Sequence, residues 1–249
     1  MSGLNDKEFL RYHRHVMVSQ IGEKGQLKFK KSKVLIIGMG GLGCPAAMYL
    51  AASGVGELTL VDMDTIETSN LQRQVLYCQE DIGKLKVEVA KTRIKAQNPL
   101  ISVNVIDDSI FDIDLYQIME EVDLVLDCTD SAKTRKFVNQ LCFETKTPLV
   151  SASAIQGSGQ LVSFNYCGEE APCYECLFPV QGEQILNCST AGVFSPVLGV
   201  MGSLQATEAL RLLLGQTDNL HKLSLFDAWG VSFQKFNVKK DPKCPCCGK

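Results

Sequence analysis

Three glycines near the start of the chain are spaced as in a phosphate-binding turn. Gly38, Gly40 and Gly43 follow the apolar run 34–37 and precede a segment with helical periodicity. In that context the backbone N–H groups of the turn and of the helix N-terminus bind phosphate oxygens. Asp62 stands at the end of the next predicted strand, where a carboxylate accepts hydrogen bonds from ribose hydroxyls. The spacing therefore predicts a nucleotide site.

The residues that follow this second strand indicate which nucleotide binds. Asn70, Arg73 and Lys86 add one amide and two cations, while Asp127 and Asp130 come at the end of a later strand. A dinucleotide's pyrophosphate is usually bound by backbone groups, whereas a triphosphate that releases pyrophosphate needs cationic side chains. Each charge-assisted contact contributes roughly 1.5–3 kcal/mol, and a carboxylate such as Asp130 can hold magnesium against the phosphates. The pattern favours ATP over NAD.

Two cysteine pairs have the spacing of metal ligands. Cys173 and Cys176 form one CxxC pair, and Cys244 and Cys247 form another. A single CxxC is also found in redox proteins, but two pairs supply the four thiolates of a tetrahedral zinc site. Such a site would tie the C-terminal segment to the body of the fold. Cys246 is an alternative fourth ligand, although the CxxC spacing favours Cys247.

The number of cysteines points to a reducing compartment. The chain has 11, an odd number in a chain much longer than disulfide-stapled scaffolds, so we expect thiol or metal chemistry in the cytoplasm. Cys188 stands apart from the pairs, in a segment rich in Gly, Ser and Thr. The other five are expected to be small buried hydrophobic residues: Cys44, Cys78, Cys128, Cys142 and Cys167.

Composition excludes several classes of protein. The chain has 249 residues, 45% of them hydrophobic and 21% charged, which is ordinary for a globular protein with a real core. A net charge of −3 provides no overall positive field for nucleic acid or anionic lipid. The least polar stretch, 184–207, contains Pro196 and several polar residues, so we expect no membrane span. Residues 1–15 lack the apolar segment of a secretory signal.

Strands and helices alternate along most of the chain. Predicted helices cover 9–17, 23–31, 44–53, 85–97, 133–144 and 196–214, and predicted strands cover 34–38, 57–62, 102–106, 122–126, 148–153, 160–166, 222–226 and 232–238. This order predicts an α/β fold with a Rossmann-like, doubly wound, mostly parallel sheet. An N-terminal helical arm precedes the sheet, and antiparallel strands follow it.

These motifs together resemble the ThiF/MoeB/HesA family over essentially the whole chain. The matching segments are GMGGLG (38–43), LVDMD (60–64), SNLQRQ (69–74), GKLK (83–86), DCTD (127–130), CSTAGV (188–193) and both CxxC pairs. Members of this family are bacterial relatives of ubiquitin-activating enzymes. The resemblance implies one adenylation domain, residues 1–249, with a helical arm (1–32), a nucleotide-binding half (33–155) and a carrier-binding and zinc half (156–249).

The resemblance also implies an activity and its cofactors. A homodimeric enzyme with structural Zn²⁺ would use ATP and Mg²⁺ to adenylate the C-terminal glycine of a ubiquitin-like sulfur carrier protein. Arg14 would reach the ATP of the partner subunit. The implied contacts within one chain are Gly40 and Gly41 to the phosphates, Asp62 to the ribose, Asn70, Arg73 and Lys86 to the triphosphate, and Asp130 to magnesium. Two positions depart from the family pattern, because His15 replaces a usual Gln and Ser131 replaces a frequent Asn.

The resemblance extends to the sulfur chemistry and to the carrier. Relatives place a cysteine at the position of Cys188, which implies a role in sulfur transfer from a cysteine desulfurase or another sulfur donor. The segments 5–12, 151–154 and 190–192 favour a ThiS-like carrier of thiamine thiazole synthesis. A MoaD-like carrier of molybdopterin synthesis is the alternative, and some organisms use one enzyme for both.

Two hypotheses from other classes compete with this one. An NAD-dependent oxidoreductase would need an acid or base beside the nicotinamide, yet the three histidines, His13, His15 and His221, lie outside the predicted strand-to-helix loops. A zinc-stapled scaffold without ATP would not need the charged residues after the second strand. Both hypotheses leave Arg73, Lys86 and Asp130 unexplained.

Overall fold

An eight-stranded sheet carries helices on both faces. The computed structural model describes residues 3–179 and 191–248. The helices are α1 (Asp6–Val16), α2 (Gly22–Lys31), α3 (Gly43–Ala52), α4 (Lys86–Gln97), α5 (Leu115–Glu120), α6 (Ala132–Thr145), α7 (Tyr174–Leu177) and α8 (Ser195–Leu214). The strands are β1 (Lys33–Ile37), β2 (Glu57–Val61), β3 (Ser102–Ile106), β4 (Leu124–Asp127), β5 (Leu149–Ile155), β6 (Ser158–Phe164), β7 (Lys222–Asp227) and β8 (Ser232–Asn237).

The strand order confirms the predicted fold class. It is β3-β2-β1-β4-β5-β6-β7-β8, parallel from β3 to β5 and antiparallel from β5 to β8. The chain leaves β1 toward one edge through β2 and β3, then returns to pair β4 on the other side of β1. The crevice between β1 and β4 is therefore the switch point at which ligands bind in doubly wound sheets.

Each parallel strand sends alternate side chains into two separate cores. In β1, Val34 and Ile36 join the core that α3, α4 and α8 cover, whereas Leu35 and Ile37 join the core under α5 and α6. This alternation follows from the period of two along a strand. All four side chains are at most 2% exposed, because a parallel sheet covered on both faces is buried throughout.

The predicted helical arm docks onto the sheet's helices. A capping box between Asn5 and Glu8 starts α1. The Asn98 side chain, just after α4, donates a 2.8 Å hydrogen bond to the Tyr12 hydroxyl, and Arg11 donates a 2.9 Å bond to the Gln97 carbonyl. These bonds attach the arm to the C-terminal end of α4.

Helix α8 is long and apolar enough to cross a membrane by length and composition, and among the described residues it is the one helix of that kind. It packs on the sheet, with Leu198, Met201, Ala206 and Ala209 in the first of the two cores. A core helix of a globular protein meets the same criterion as a membrane span, so its position on the sheet accounts for its composition.

Some local expectations were wrong. Helices α5 and α7 are only 6 and 4 residues long and were not predicted. Cys44, Cys128 and Cys142 are buried as expected, but Cys78 and Cys167 are exposed. The Cys78 thiol donates a 3.1 Å hydrogen bond to the Asp81 carboxylate, and its sulfur accepts a 3.2 Å hydrogen bond from the Arg93 guanidinium. These polar partners keep Cys78 at the surface.

Candidate active site

A cavity of about 320 Å³ opens at the carboxyl ends of the parallel strands. This volume is within the range of small-molecule sites. Eight of the residues predicted from the sequence line it: Gly38, Gly40, Gly41, Asp62, Asn70, Arg73, Lys86 and Asp130. They come from the ends of β1, β2 and β4, from the loop that precedes α4 and from the first residue of α4. The topology thus brings together residues that are far apart in sequence.

The glycine turn closes the β1 side of the cavity. Gly38 has φ +92°, a left-handed conformation that side chains rarely adopt. A Cβ on Gly43 would overlap the Gly38 carbonyl oxygen, so the close approach of turn and helix requires glycine. Gly40 and Gly41 face the cavity just before α3 begins. The first N–H groups of a helix lack partners within it and are donors for an anion.

A lysine and two carboxylates form the β2 side of the cavity. Lys86 is 5% exposed, and its Nζ lies 2.7 Å from an Asp64 oxygen and 4.0 Å from an Asp62 oxygen. Asp62 also accepts bonds from the backbone N–H groups of Met39 at 2.7 Å and Asp64 at 2.9 Å. Burial raises the pKa of Asp62, and the nearby Lys86 ammonium opposes this shift. The two charges thus hold each other at the edge of the cavity.

The loop after β2 is folded into a short 3-10 helix that places Asn70 and Arg73. The Asn70 side chain is buried and accepts a 3.2 Å bond from the Glu67 N–H. The Asn70 carbonyl accepts from the N–H groups of Arg73 and Gln74 at 3.0 and 2.9 Å. The Arg73 guanidinium donates to the Ser69 carbonyl at 2.8 Å. Arg73 is therefore held at the rim with further donors available to a ligand.

The segment after β4 separates two acidic residues into different environments. Asp127 is fully buried and accepts bonds from the Ser151 hydroxyl at 2.8 Å and the Thr129 hydroxyl at 2.7 Å. Asp130 is exposed and lines the cavity. Asp127 thus has a structural position, while the Asp130 carboxylate is available to a cation. Ser131, which departs from the family pattern, accepts from the Thr134 N–H at 3.5 Å and caps α6.

Sequence reasoning missed several residues of this cavity. Arg135 lines it and donates to the Thr129 carbonyl through Nε at 3.2 Å. Gln74 is 4% exposed, and its Oε1 has no partner among the described residues. The segment after β3 also lines the cavity, with Asp108 and Phe111. Gln74 is part of the SNLQRQ segment, but Arg135 is one of several cations on α6 and has no distinguishing spacing.

The four predicted cysteine ligands converge on one point. The sulfurs of Cys173, Cys176, Cys244 and Cys247 all lie within 4.8 Å of one another. The Cys173–Cys244 and Cys176–Cys247 sulfur pairs are 3.5 and 3.2 Å apart. Sulfurs in a tetrahedral zinc site are separated by about 3.8 Å, given a Zn–S bond of about 2.3 Å. The cluster could hold a metal ion, and its fourth member is Cys247 rather than Cys246.

The surroundings of the cluster favour an ion of positive charge. Burial raises the pKa of the Cys244 and Cys247 thiols, whereas the hydrogen bond with Cys246 lowers the pKa of Cys173 to about 4. A nearby cation would therefore be needed for all four sulfurs to ionise together. An all-sulfur donor set suits thiophilic ions, zinc above all, and does not suit magnesium or calcium. The residues therefore fit the zinc ion that the sequence predicts.

Comparison with known proteins assigns the family. The ThiF family profile matches residues 12–246. The chain belongs to the ThiF family. Two relatives from Escherichia coli strain K12 are each 43% identical to it. One is a molybdopterin-synthase adenylyltransferase, aligned over 250 residues with both chains fully covered. The other is a sulfur carrier protein ThiS adenylyltransferase, aligned over 245 residues, 98% of this chain and 97% of the relative.

Solved structures give the same grouping. A crystal structure of E. coli MccB with ATP superposes with a TM-score of 0.81 at 28% identity, covering 98% of this chain and 75% of MccB. The ThiF-family fold is thus shared with a protein whose solved structure contains ATP.

Three residues predicted for the ThiF-family site lie outside the cavity or outside the described residues. Gly43 does not line the cavity but shapes the turn behind it. Arg14 is exposed on α1 and is not among the residues around its own chain's cavity. Cys188 falls outside the described residues. The ring of the neighbouring His15 packs edge-on against the Phe29 ring, with the two ring centroids 6.4 Å apart.

Proposed function

We propose that this protein adenylates the C-terminal glycine carboxylate of a ubiquitin-like sulfur carrier protein, using ATP and magnesium. The observation that carries the proposal is the convergence of Asp62, Asn70, Arg73, Lys86 and Asp130 on one cavity beside the glycine turn. A dinucleotide site would not need this number of charged side chains. The two E. coli relatives, both adenylyltransferases, support the reaction class.

The chemistry solves a problem of charge. A carboxylate resists nucleophilic attack because the attack adds negative charge and the leaving group would be oxide. The carrier's terminal carboxylate instead attacks the α-phosphorus in line, forming a C–O–P bond as the bond to pyrophosphate breaks. The attacking group is already ionised at neutral pH, so no general base is required. The terminal sulfur of a persulfide on the sulfur donor then attacks the acyl carbon and displaces AMP, and a thiol reductant cleaves the resulting acyl disulfide to give the thiocarboxylate.

The residues of the cavity act on the charge that develops. Gly40 and Gly41 offer backbone N–H groups to the phosphates, and Arg73 and Lys86 offer cations to the departing pyrophosphate. The Lys86 Nζ lies 2.7 Å from an Asp64 carboxylate oxygen, so it must move away from Asp64 to bind a phosphate oxygen. Asp62 takes the ribose hydroxyls. Asp130 would hold a magnesium ion, which would supply further positive charge against the phosphates.

An exposed aromatic surface supports docking of a protein substrate on the carrier-binding half, 156–249. Trp229 is 73% exposed and stacks on Phe194, with ring centroids 5.0 Å apart. Phe233 on β8 is about half exposed, at 52%, and its ring stacks on Phe226. Aromatic side chains dominate the centres of protein interfaces. Helix α8, which begins next to Phe194, also contributes Leu198 to the cavity lining, so a carrier docked here lies near the entrance.

The identity of the carrier is open to a direct experiment. We propose a ThiS-like carrier of thiamine thiazole synthesis, with the segments 151–154 and 190–192 as support, and a MoaD-like carrier as the alternative. The equal identity of 43% to both kinds of relative favours neither. ATP–pyrophosphate exchange measured with each purified carrier in turn distinguishes them, because only the accepted carrier stimulates exchange. Exchange with neither carrier would contradict the proposal.

The remaining features of the proposal concern assembly. We infer a zinc ion in the cysteine cluster, a homodimer in which Arg14 reaches the partner's cavity, a cytoplasmic location, and sulfur delivery by a cysteine desulfurase or another donor. The exposed position of Arg14 on the helical arm supports its action between subunits. The 11 cysteines support a reducing compartment.

Mixing two inactive variants tests the action of Arg14 between subunits. Arg14→Ala and Arg73→Ala should each lose exchange activity. Their heterodimer has one cavity with neither change and one with both. A mixed preparation should therefore recover about a quarter of the wild-type activity, given random pairing in a two-fold dimer. Mass spectrometry confirms subunit exchange, and no recovery in a preparation that has exchanged would place Arg14 outside the partner's site.

The variant Cys188→Ala separates adenylation from sulfur transfer. Adenylation needs the carboxylate, the phosphates and cations, so pyrophosphate exchange should stay near the wild-type rate. Thiocarboxylate formation should fall, because a thiolate is the nucleophile that carries sulfur as a persulfide or an acyl disulfide. Both quantities are measured on one preparation, the second by mass spectrometry of the carrier. An unchanged thiocarboxylate yield would remove Cys188 from the sulfur route.

A further inference from the structure

Arg135 connects three parts of the molecule at the back of the cavity. Its guanidinium donates to the Thr129 carbonyl through both Nε and Nη2, and Nη2 also lies 3.2 Å from the Ala152 carbonyl of β5. The side chain of Tyr174 on α7 lies close enough to interact electrostatically with this guanidinium. A planar guanidinium bonded to carbonyls from two different segments is restricted in orientation. Arg135 therefore fixes the path of the chain as it leaves β4.

The hydrogen bonds from Arg135 to the Thr129 carbonyl affect the position of the next residue, Asp130. The Thr129 carbonyl belongs to the same peptide group as the Asp130 N–H, so fixing that carbonyl fixes the plane from which Asp130 begins. The Asp130 carboxylate accepts no hydrogen bond from any described residue. Its position therefore depends on its backbone rather than on neighbouring donors.

Tyr174 is itself held by the helix that carries Arg135. One turn after Arg135, the buried Asn139 accepts bonds through Oδ1 from the Tyr174 N–H at 2.9 Å and from the Tyr166 hydroxyl at 3.1 Å. Positions four apart share a face of a helix. Thus α6 holds the Tyr174 backbone through Asn139 and meets its side chain through Arg135. Tyr174, which lies beside the Arg135 guanidinium, is therefore held in place by α6.

We propose that Arg135 is a positioning residue that sets the Asp130 carboxylate for magnesium, and that Tyr174 holds the guanidinium in the orientation this requires. The inference rests on the proposed use of magnesium-ATP at this cavity. It predicts that changes at Arg135 raise the magnesium concentration needed for half-maximal ATP binding. They should change the affinity for ATP at saturating magnesium much less. A cation that only attracted phosphate would alter that affinity at every magnesium concentration.

The test measures ATP binding to the full-length protein, without carrier, by calorimetry across a series of magnesium concentrations. Arg135→Lys keeps the charge and loses the planar set of donors, and Tyr174→Phe removes one hydroxyl. Lys136→Ala removes a neighbouring cation of α6 that does not line the cavity. The magnesium concentration for half-maximal binding should rise about tenfold in Arg135→Lys and about threefold in Tyr174→Phe. It should stay unchanged in Lys136→Ala.

The outcomes separate the positioning role from a purely structural one. A lower melting temperature with no change in the magnesium concentration for half-maximal ATP binding would overturn the proposal. An equal loss of ATP affinity at all magnesium concentrations would also overturn it. If Arg135→Lys does not fold, Tyr174→Phe gives the decisive measurement. Because the assay contains no carrier, the absence of carrier-dependent exchange would contradict the proposed function and leave this test intact.

Discussion

Replacing Asp130 with alanine is expected to abolish both pyrophosphate exchange and thiocarboxylate formation. Asp130 is exposed at the cavity, whereas the neighbouring Asp127 is buried and bonded to Ser151 and Thr129. Under the proposed mechanism, removal of Asp130 would leave the triphosphate without a carboxylate-bound cation, so the charge on departing pyrophosphate would not be compensated. The exchange rate should fall by about two orders of magnitude or more.

The matched control is Asp107→Ala. Asp107 is an exposed aspartate at the end of β3 that does not line the cavity. Its removal changes the net charge by the same amount, so exchange should remain at the wild-type rate. The melting temperature of both variants should match the wild type, because neither carboxylate accepts a hydrogen bond from a described residue. Exchange by Asp130→Ala within tenfold of wild type would be incompatible with the assigned role.

Removal of the metal ion is expected to affect stability more than chemistry. The cluster joins α7 to the C-terminal segment across 71 residues of sequence, and none of its four cysteines lines the cavity among the described residues. Metal binding at a structural site contributes directly to the folding free energy. Cys176→Ser should lose at least roughly 3 kcal/mol, or about 10 °C in melting temperature for a chain of this size. Exchange per folded molecule should change only a few-fold.

Cys167→Ser is the control for this experiment. Cys167 is exposed and lies outside the cluster, so its replacement should leave metal content and melting temperature unchanged. Metal analysis should find one zinc per chain in the wild type and in Cys167→Ser. Well under one zinc per wild-type chain, or full stability of Cys176→Ser, would refute the structural role.

The sheet was predictable because its strands carry strong local signals. Apolar runs such as 34–37 end at glycine or aspartate, and helical periodicity separates them. Their order along the chain then allows few topologies. Helix α7 lacked such a signal, because it has only four residues and ends in the cysteine cluster. Cys78 was wrongly expected to be buried, since nothing in its neighbourhood showed that Asp81 and Arg93 would hold it at the surface.

The residues of the candidate site also differ in whether a local sequence pattern indicates them. The location of the glycine turn and Asp62 at the cavity was predictable because it depends on backbone conformation and on position at a strand end. Arg73 and Lys86 were recognised by their order after β2. Arg135 was not, because its contacts are with one carbonyl just after β4 and another in β5, which only the folded sheet brings together. Side chains that act through tertiary partners leave no pattern in the sequence.

The exposed stack of Trp229 on Phe194 gives the protein an intrinsic optical probe. Trp229 is the only tryptophan in the chain, so all indole emission comes from one point on the surface assigned to the carrier. A solvent-exposed indole emits at long wavelength, and burial under a docked protein moves its emission to the blue. Carrier titration followed by fluorescence therefore measures docking alone, without a label and without ATP.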